Sequence, residues 1–357
     1  MEKKKVLILQ GDLKRYRYPT WNLIADKYDL TLGYLTKDDA KDCDCRFKKI
    51  KFDLHKIGPL RFSRKIRSCA KQFDVVIFMP DPHDADFCLL PFLPHKYKLL
   101  TWSIGFRCSY SHPYLTKRKH DLFDKFYELM FKHVDANIFY MEKSKEFWEQ
   151  SKLDFNSMFV APNTAEVIPI EVAPEEKKNI LFVGTLYRGK GVDLLISSFK
   201  DALQKAGGNT KLVIIGQGEM REELERYVNE NGLESNVEFT GAIFDENILA
   251  DHFKKALLCV SPTQGGLSCP KSMGYGVPFV CRKDAITGGE IYHMTPGENG
   301  IMYEQDSELT DILVDAMTHP SKYVEMGVKA KSYYDHHATP AHMAQGAIDA
   351  IDYVLEK

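Results

Sequence analysis

The run Phe182-Val183-Gly184-Thr185-Leu186-Tyr187-Arg188-Gly189-Lys190-Gly191 sets two cations among glycines, between a short apolar stretch and the amphipathic segment that opens Val192-Asp193-Leu194-Leu195-Ile196. A strand that ends in a glycine turn and leads into a helix suits a diphosphate. The amides at a helix start are unpaired, and the helix dipole favours negative charge there. Lys190 can meet a phosphate as a point charge and Arg188 can add a second. Gly184, with Thr185 beside it, lets the backbone come close to a ligand. A solvated turn with incidental cations is the competing reading.

Two more elements share this character. Ile215-Gly216-Gln217-Gly218-Glu219 is a second glycine turn, of a kind that also ends strands where no ligand binds. Ser261-Pro262-Thr263-Gln264-Gly265-Gly266-Leu267-Ser268 runs into Lys271-Ser272-Met273-Gly274-Tyr275-Gly276-Val277-Pro278. Its glycine-rich start precedes a helical pattern, so Gly266, Leu267 and Ser268 can offer amides to negative oxygens as a second anion cradle.

The elements that must hold these loops follow from length and periodicity. At 357 residues the chain exceeds the roughly 250 to 300 at which one core stops growing, so two domains are expected. Short apolar runs at Val6 to Leu9, Leu30 to Tyr34, Val75 to Met79, Leu99 to Trp102 and Ala136 to Tyr140 read as buried strands. Helical patterns at Pro59 to Gln72 and Lys117 to Val134 lie between them, giving βαβ units. Residues 166–178, with two prolines, acidic residues and no helical stripe, read as a linker. The rhythm then restarts, with strands at Ile180 to Val183, Leu212 to Ile215, Val237 to Phe239, Leu257 to Val260 and Phe279 to Arg282. Helices at Val192 to Lys205, Met220 to Asn231 and Asn247 to Lys255 separate them. A last helix, Thr339 to Leu355, has Pro340 near its start and Met343, Ala347, Ile351 and Val354 on one face.

Composition excludes several classes. A net charge of -2 argues against an electrostatic grip on nucleic acid. The eight cysteines form no CxxC pairs and read as thiols of a reducing cytosol, and the Cys43-Asp44-Cys45 pair lacks partners at zinc spacing. The apolar stretch behind the charged N-terminus is too short for a signal peptide or a membrane span, so a cytoplasmic protein is expected.

The order Val-Gly-x-Leu-x-x-x-Lys-Gly at 183–191, Ile-Gly-x-Gly at 215–218, Phe-Thr-Gly at 239–241, Ser-Pro at 261–262 and Met-x-x-Gly-x-Pro at 273–278 resembles the family-four retaining glycosyltransferases of the GT-B fold. The likeness runs from about residue 179 to 335. In the first half it rests on the strand-helix rhythm, Gly11, Val160-Ala161-Pro162-Asn163 and the closing helix. It implies an α/β protein of two Rossmann-like, doubly wound domains facing across a cleft. Residues 1–165, with helix 339–357 packing back on them, would hold the acceptor, and residues 179–336 the nucleotide-sugar donor. By position, Arg188, Lys190 and Glu290, the last in a Gly-Gly-Glu element, fall in the catalytic set; a helix-start carboxylate is the other reading of Glu290. Gly184, Thr185, Gly216, Gly218, Gln264, Gly266, Leu267, Ser268 and Lys271 fall on the donor side. No metal and no cofactor beyond the donor is implied, since cations and helix starts stabilise the leaving diphosphate.

The chain also departs from that pattern. Relatives carry two glutamates eight positions apart, where this sequence offers Gln264 and Lys271. A lysine accepts no hydrogen bond from a ribose diol. The ribose must then be held otherwise, or Lys271 meets a phosphate, or activity has been lost. Thr185 stands where an arginine is common, with Arg188 as a substitute. On the acceptor side, Gly11 and the loop from Trp102 through Gly105 to Arg107 occupy places where relatives bind; no histidine stands in the loop, and His112 is the nearest candidate, or a plain exposed loop residue.

Cations at Arg61 to Arg67, and Lys117 to His120 beside Phe123, Phe126, Tyr127 and Met130, suit helices resting on anionic lipid at the inner face of a membrane; a core stripe with a solvated charged face is the alternative. The leading expectation is transfer of a sugar from a nucleotide-sugar to a glycan or lipid-linked acceptor in cell-surface polysaccharide synthesis. The alternatives are an inactive binding or regulatory protein of the same fold, and an epimerase or phosphorylase-like enzyme.

Overall fold

The computed structural model describes residues 2–40, 44–106, 122–149, 151–171 and 176–357. In chain order the strands are β1 Lys5–Gln10, β2 Asp29–Tyr34, β3 Lys48–Lys51, β4 His55–Ile57, β5 Leu60–Phe62, β6 Val75–Phe78, β7 Lys98–Ser103, β8 Ala136–Phe139, β9 Met158–Val160, β10 Asn179–Val183, β11 Leu212–Ile215, β12 Val237–Gly241, β13 Ala256–Val260, β14 Gln264–Gly265, β15 Phe279–Arg282, β16 Ile286–Thr287 and β17 Gly300–Tyr303. The α-helices are α1 Tyr18–Lys27, α2 Ile66–Ala70, α3 Ala85–Leu89, α4 Leu122–Phe131, α5 Glu142–Trp148, α6 Val192–Ala206, α7 Arg221–Glu230, α8 Glu246–Lys254, α9 Ser268–Gly274, α10 Asp306–Thr318, α11 Pro320–His337 and α12 Pro340–Glu356.

Contacts divide the chain into two units. Among described residues the first comprises 2–106, 122–163 and Pro340–Lys357, and the second Thr164–Thr339. The segment 166–178 therefore groups with the second unit, where Lys177 is buried and its Nζ donates to the Ala256 carbonyl at 3.2 Å.

In the first unit a parallel seven-stranded sheet runs β3-β2-β1-β6-β7-β8-β9. Its inner strands read as continuous apolar runs because both faces are covered. Val6 and Ile8 pack on one side with Trp21 and Ile24 of α1 and with Met343, Ala347, Ile351 and Val354 of α12; Leu7 and Leu9 pack on the other with Ile66, Phe87 and Leu90. The helix expected over Pro59 to Gln72 is corrected. Gly58, at φ 58, turns the chain into the β4–β5 hairpin, and the helix starts only at Ile66. Pattern misled here because Leu60 and Phe62 alternate at strand spacing while Arg61 is drawn into ion pairs with Asp81 and Asp84. The helix expected over Lys117 to Val134 is described only as α4, Leu122–Phe131.

In the second unit the order is β12-β11-β10-β13-β15-β17, all parallel. Helix α6 shows why the sequence folds this way. Val192, Leu195, Ile196, Phe199 and Ala202 recur at helical spacing and are all buried against Ile180, Phe182 and Ile214. Among the described residues no helix is long and apolar enough to cross a membrane. The described cysteines are free thiols, and burial pushes Cys88, Cys259 and Cys281 up to about 12, so they are poor nucleophiles.

Candidate functional site

A doubly wound sheet has one place where neighbouring strands send their chains in opposite directions, and ligands bind beyond the strand ends there. In the second unit that place lies between β10 and β13. The loops leaving these strands are 184–191 and 261–268, the two cradles read from the sequence.

Side chains and ladders hold the loops together. The Thr263 hydroxyl donates to the Gly189 carbonyl at 2.7 Å, and the Tyr187 hydroxyl to Gln264 Oε1. Gly191 is left-handed, at φ 66, and a side chain there would meet Thr263 and Pro262 at 3.0 and 3.2 Å. The short strands β14 and β16 then pair Gln264 with Ile286 and Gly265 with Thr287, bringing in the loop that carries Glu290.

Lys190 ends the helical turn Arg188–Lys190 and is 9% exposed. Its side chain lies over Gly184, so that a Cβ added there would sit 3.7 Å from Nζ. Burial pulls the ammonium down to about 8, opposed by the nearby Glu290 carboxylate. An amine so placed gains charge when an anion arrives, because the anion replaces water that burial has removed. Arg188 differs: it is exposed and pairs with Glu223 of α7 at 3.1 Å. The two cations of the turn are thus not equivalent.

Glu290 is buried, and its Oε2 accepts from the Thr287 hydroxyl at 2.8 Å and the Gly288 amide at 2.6 Å. Those bonds brace the 286–290 loop from within. Gly216 and Gly218 serve packing. Side chains there would come within 1.8 Å of the Gly184 carbonyl oxygen and 2.1 Å of that of Leu186. The second glycine turn therefore lies flat under the first, and Gly184 donates to the Ile215 carbonyl at 3.0 Å. Gly266 has open space at its Cβ position. With Leu267 and Ser268 it precedes or opens α9, whose first-turn amides have no partner within the helix.

Lys271 is largely covered, and its ammonium meets Glu246 Oε1 at 2.5 Å, while the Tyr275 hydroxyl approaches Oε2 at 3.4 Å. Glu246, the first residue of α8, was missed from the sequence. Nothing local marks it; only packing brings it to Lys271, 25 positions away.

In the first unit the matching place lies between β1 and β6. A side chain at Gly11, just past β1, would lie 3.8 Å from Asp84 Oδ2. Burial, aided by Asp81, pushes Asp84 up to about 6 against the pull of Arg61, whose Nε is 2.6 Å away. His83, also missed, is exposed with its Nδ1 2.8 Å from Asp81 Oδ1, an arrangement that turns Nε2 away from the carboxylate. The signal was available in Met79-Pro80-Asp81-Pro82-His83-Asp84 following a strand. Gly105 is part of the packed interior: its carbonyl accepts from Trp148 Nε1 at 2.7 Å. Arg107, His112 and Lys117 to His120 lie outside the described residues.

Residues 177–319 match the family model described as "Glycosyl transferases group 1". An uncharacterized glycosyltransferase of Haemophilus influenzae is 27% identical over 203 residues, 53% of this chain and 54% of its own length. One from Methanocaldococcus jannaschii is 34% identical over 149 residues, 38% of this chain and 37% of its own. The chain spans about half the length of the curated relatives it matches. Among solved structures, Anabaena HepE in complex with UDP gives a TM-score of 0.73 at 14% identity, covering 98% of this chain and 100% of that one. A variant of S. aureus TarM, in complex with fondaparinux, alpha-GlcNAc-glycerol and UDP, gives 0.71 at 12% identity, with 97% and 99% covered. WaaG, a glycosyltransferase involved in lipopolysaccharide biosynthesis, gives 0.63 at 14%, with 95% and 98% covered. At these identities the likeness is one of fold: the chain has the α/β GT-B fold of two Rossmann-like domains.

Proposed function

We propose that this protein is a glycosyltransferase that moves a sugar from a nucleoside-diphosphate-sugar to a glycan or lipid-linked acceptor, with retention and without a metal, in cell-surface polysaccharide synthesis. The observation that carries the reading is the stitched pair of loops at the β10/β13 switch point, with the buried ammonium of Lys190 lying over Gly184. The match over 177–319 and the UDP bound to HepE and TarM support a nucleoside diphosphate as its ligand.

In this reading Lys190 takes the diphosphate together with the amides of Gly266, Leu267 and Ser268, and Arg188 adds outer charge after leaving Glu223. Glu290 holds its loop in place, which positions Lys190. Glu246, held against Lys271 by their ion pair, supplies the carboxylate for a ribose diol that position 271 lacks. In the first unit, the oriented imidazole of His83 receives an acceptor hydroxyl. Retention follows from the resemblance alone, and the anomeric configuration of the product, read by NMR, decides it. Undiminished turnover in EDTA is the expected result for a site that uses cations of the protein in place of a metal.

Calorimetry with UDP and GDP on the full chain, then release of nucleotide from a panel of donor sugars, tests the main reading. Absence of binding by either nucleotide removes it. A binding protein without turnover is the second reading, favoured by the two ion pairs that occupy Arg188 and Lys271. For peripheral membrane attachment, the support on the described residues lies in the β4–β5 hairpin and the segment after it: Ile57 is 71% exposed, and Lys56, Leu60, Arg64 and, on α2, Arg67 are also at the surface. Flotation with anionic liposomes is expected, and failure to float would remove attachment.

A further inference from the structure

The turn that follows β1 carries a buried cation whose neighbours are neutral. Arg17 ends the short helical turn Arg15–Arg17 and is 8% exposed. Three rings surround its guanidinium, with Cζ 4.7 Å from the centroid of Tyr140, 5.3 Å from Tyr16 and 6.0 Å from Trp102. Its Nη1 donates to the Met343 thioether at 3.4 Å, and the hydroxyls of Tyr16 and Tyr140 are near enough to interact. Among the described residues no carboxylate pairs with it.

A guanidinium offers five N–H donors in a planar fork that fits two oxygens of one anion. Ring faces attract a cation, the Tyr16 and Tyr140 hydroxyls accept from it and the thioether is a weak acceptor, but every one of these partners is neutral. Buried charges in folded proteins are otherwise paired, because water removed from an ion must be replaced. A second donor belongs to the same cage: Trp102 Nε1 is buried and has no acceptor among the described residues. Arg15, on the same turn, is exposed and adds positive charge outside it. Arg17 and Tyr140 lie past the carboxyl ends of β1 and β8, and Trp102 is the next-to-last residue of β7, so the cage sits at the end of a parallel sheet where ligands bind.

We propose that this cage is an oxyanion subsite: Arg17 takes a carboxylate or phosphate group borne by the acceptor, with the Tyr16 and Tyr140 rings against the adjoining sugar. That the anion belongs to an acceptor rests on the glycosyltransferase reading; that the cage binds an oxyanion does not.

The test is calorimetry of the full chain with D-glucuronate, glucose 1-phosphate and D-glucose, each with UDP present at saturation to occupy the second unit. At least tenfold tighter binding of one or both anionic probes over glucose is expected. Glucuronate alone identifies a carboxylate, glucose 1-phosphate alone a phosphate, and both a shared oxyanion site. Arg17→Met should abolish the preference and Arg17→Lys keep part of it. Equal affinity for all three probes, or a preference that survives in Arg17→Met, overturns the proposal. UDP binding, measured separately, keeps the readings apart. A chain that prefers anionic sugars but binds neither UDP nor GDP retains the subsite and loses the glycosyltransferase reading.

Discussion

The two units reach the same architecture and equip its ligand-binding end in opposite ways. Beyond β10 and β13 the chain presents glycine-rich backbone and a sequestered ammonium; beyond β1 and β6 it presents Asp81, His83 and Asp84 with Arg61 tied among them. The sheet order decides where a ligand goes in each case, and the side chains decide what it is. Amides and a cation suit phosphate, which carries its own charge. An imidazole oriented by a carboxylate suits a neutral hydroxyl, for which proton position matters.

This contrast can be broken most severely at Gly216. Replacing it with alanine drives a methyl group into the Gly184 carbonyl, so Gly216→Ala should cost about 3 kcal/mol, the upper end for overpacking, and abolish nucleotide binding. Urea denaturation monitored on the isolated full chain measures the first effect; a cost under about 1 kcal/mol would show that the two turns are not locked together. Lys190→Ala should weaken nucleoside diphosphate binding by about 1.5 to 3 kcal/mol, the range for a hydrogen bond to a charged group. Arg188→Ala should cost less than about 1 kcal/mol, because its exposed pair with Glu223 competes for it. Equal losses in calorimetry would erase the distinction drawn between the two cations.

Titration sharpens the comparison further. The amine of Lys190 is charged below about 8 in the free protein, and the charged form binds the anion, so affinity must fall as pH rises through that value. About a fivefold loss is expected from pH 8 to 9, steepening toward tenfold per pH unit above that until it nears the pKa of the complex. For stability the sign is reversed: the ordinary lysine value of 10.5 applies to the unfolded chain, which therefore binds more protons between 8 and 10.5, and burial of Lys190 is tolerated better as pH rises. An affinity that stays flat from pH 7 to 9 would remove Lys190 from the site. In the first unit His83→Ala should slow turnover by about tenfold, less than removal of a group that itself transfers the proton, and leave nucleotide affinity as it was. Loss of nucleotide affinity in that variant would mean that the two ligand ends are not separate in function.

The second unit was the more legible. Its strands Leu212 to Ile215 and Phe279 to Arg282 agree with the bounds read from sequence, and the three others read there differ by a residue or two, because fully buried parallel strands are short apolar runs bounded by glycine or polar turns; the short β14 and β16 and the edge strand β17 were not read. In the first unit, the edge strands Lys48–Lys51 and Met158–Val160 escaped notice. Lys48-Lys49-Ile50-Lys51 has almost no apolar content, since an edge strand needs only its ladder partner. The hairpin at Leu60–Phe62 was read as helix because basic residues at near-helical spacing overrode the Gly58-Pro59 turn signal. The glycine loops after β10 and β13 were visible because glycine and lysine next to a strand end form a local pattern. A histidine was looked for in the loop after β7; His83, which follows β6, lies next to the switch point that strand order defines.

Local chemistry was enough to establish the α/β class, the two-part organisation and a cationic glycine turn before α6, since each depends on residues within a few positions of one another. Only tertiary structure could decide that Lys190 is sequestered while Arg188 is spent on Glu223, that Lys271 carries Glu246 with it, and that Arg17 lies among rings with no counter-charge among the described residues. The physical reason is range: a turn is set by its own dihedral angles, but the charge state and partners of a side chain depend on which distant segments remove its water.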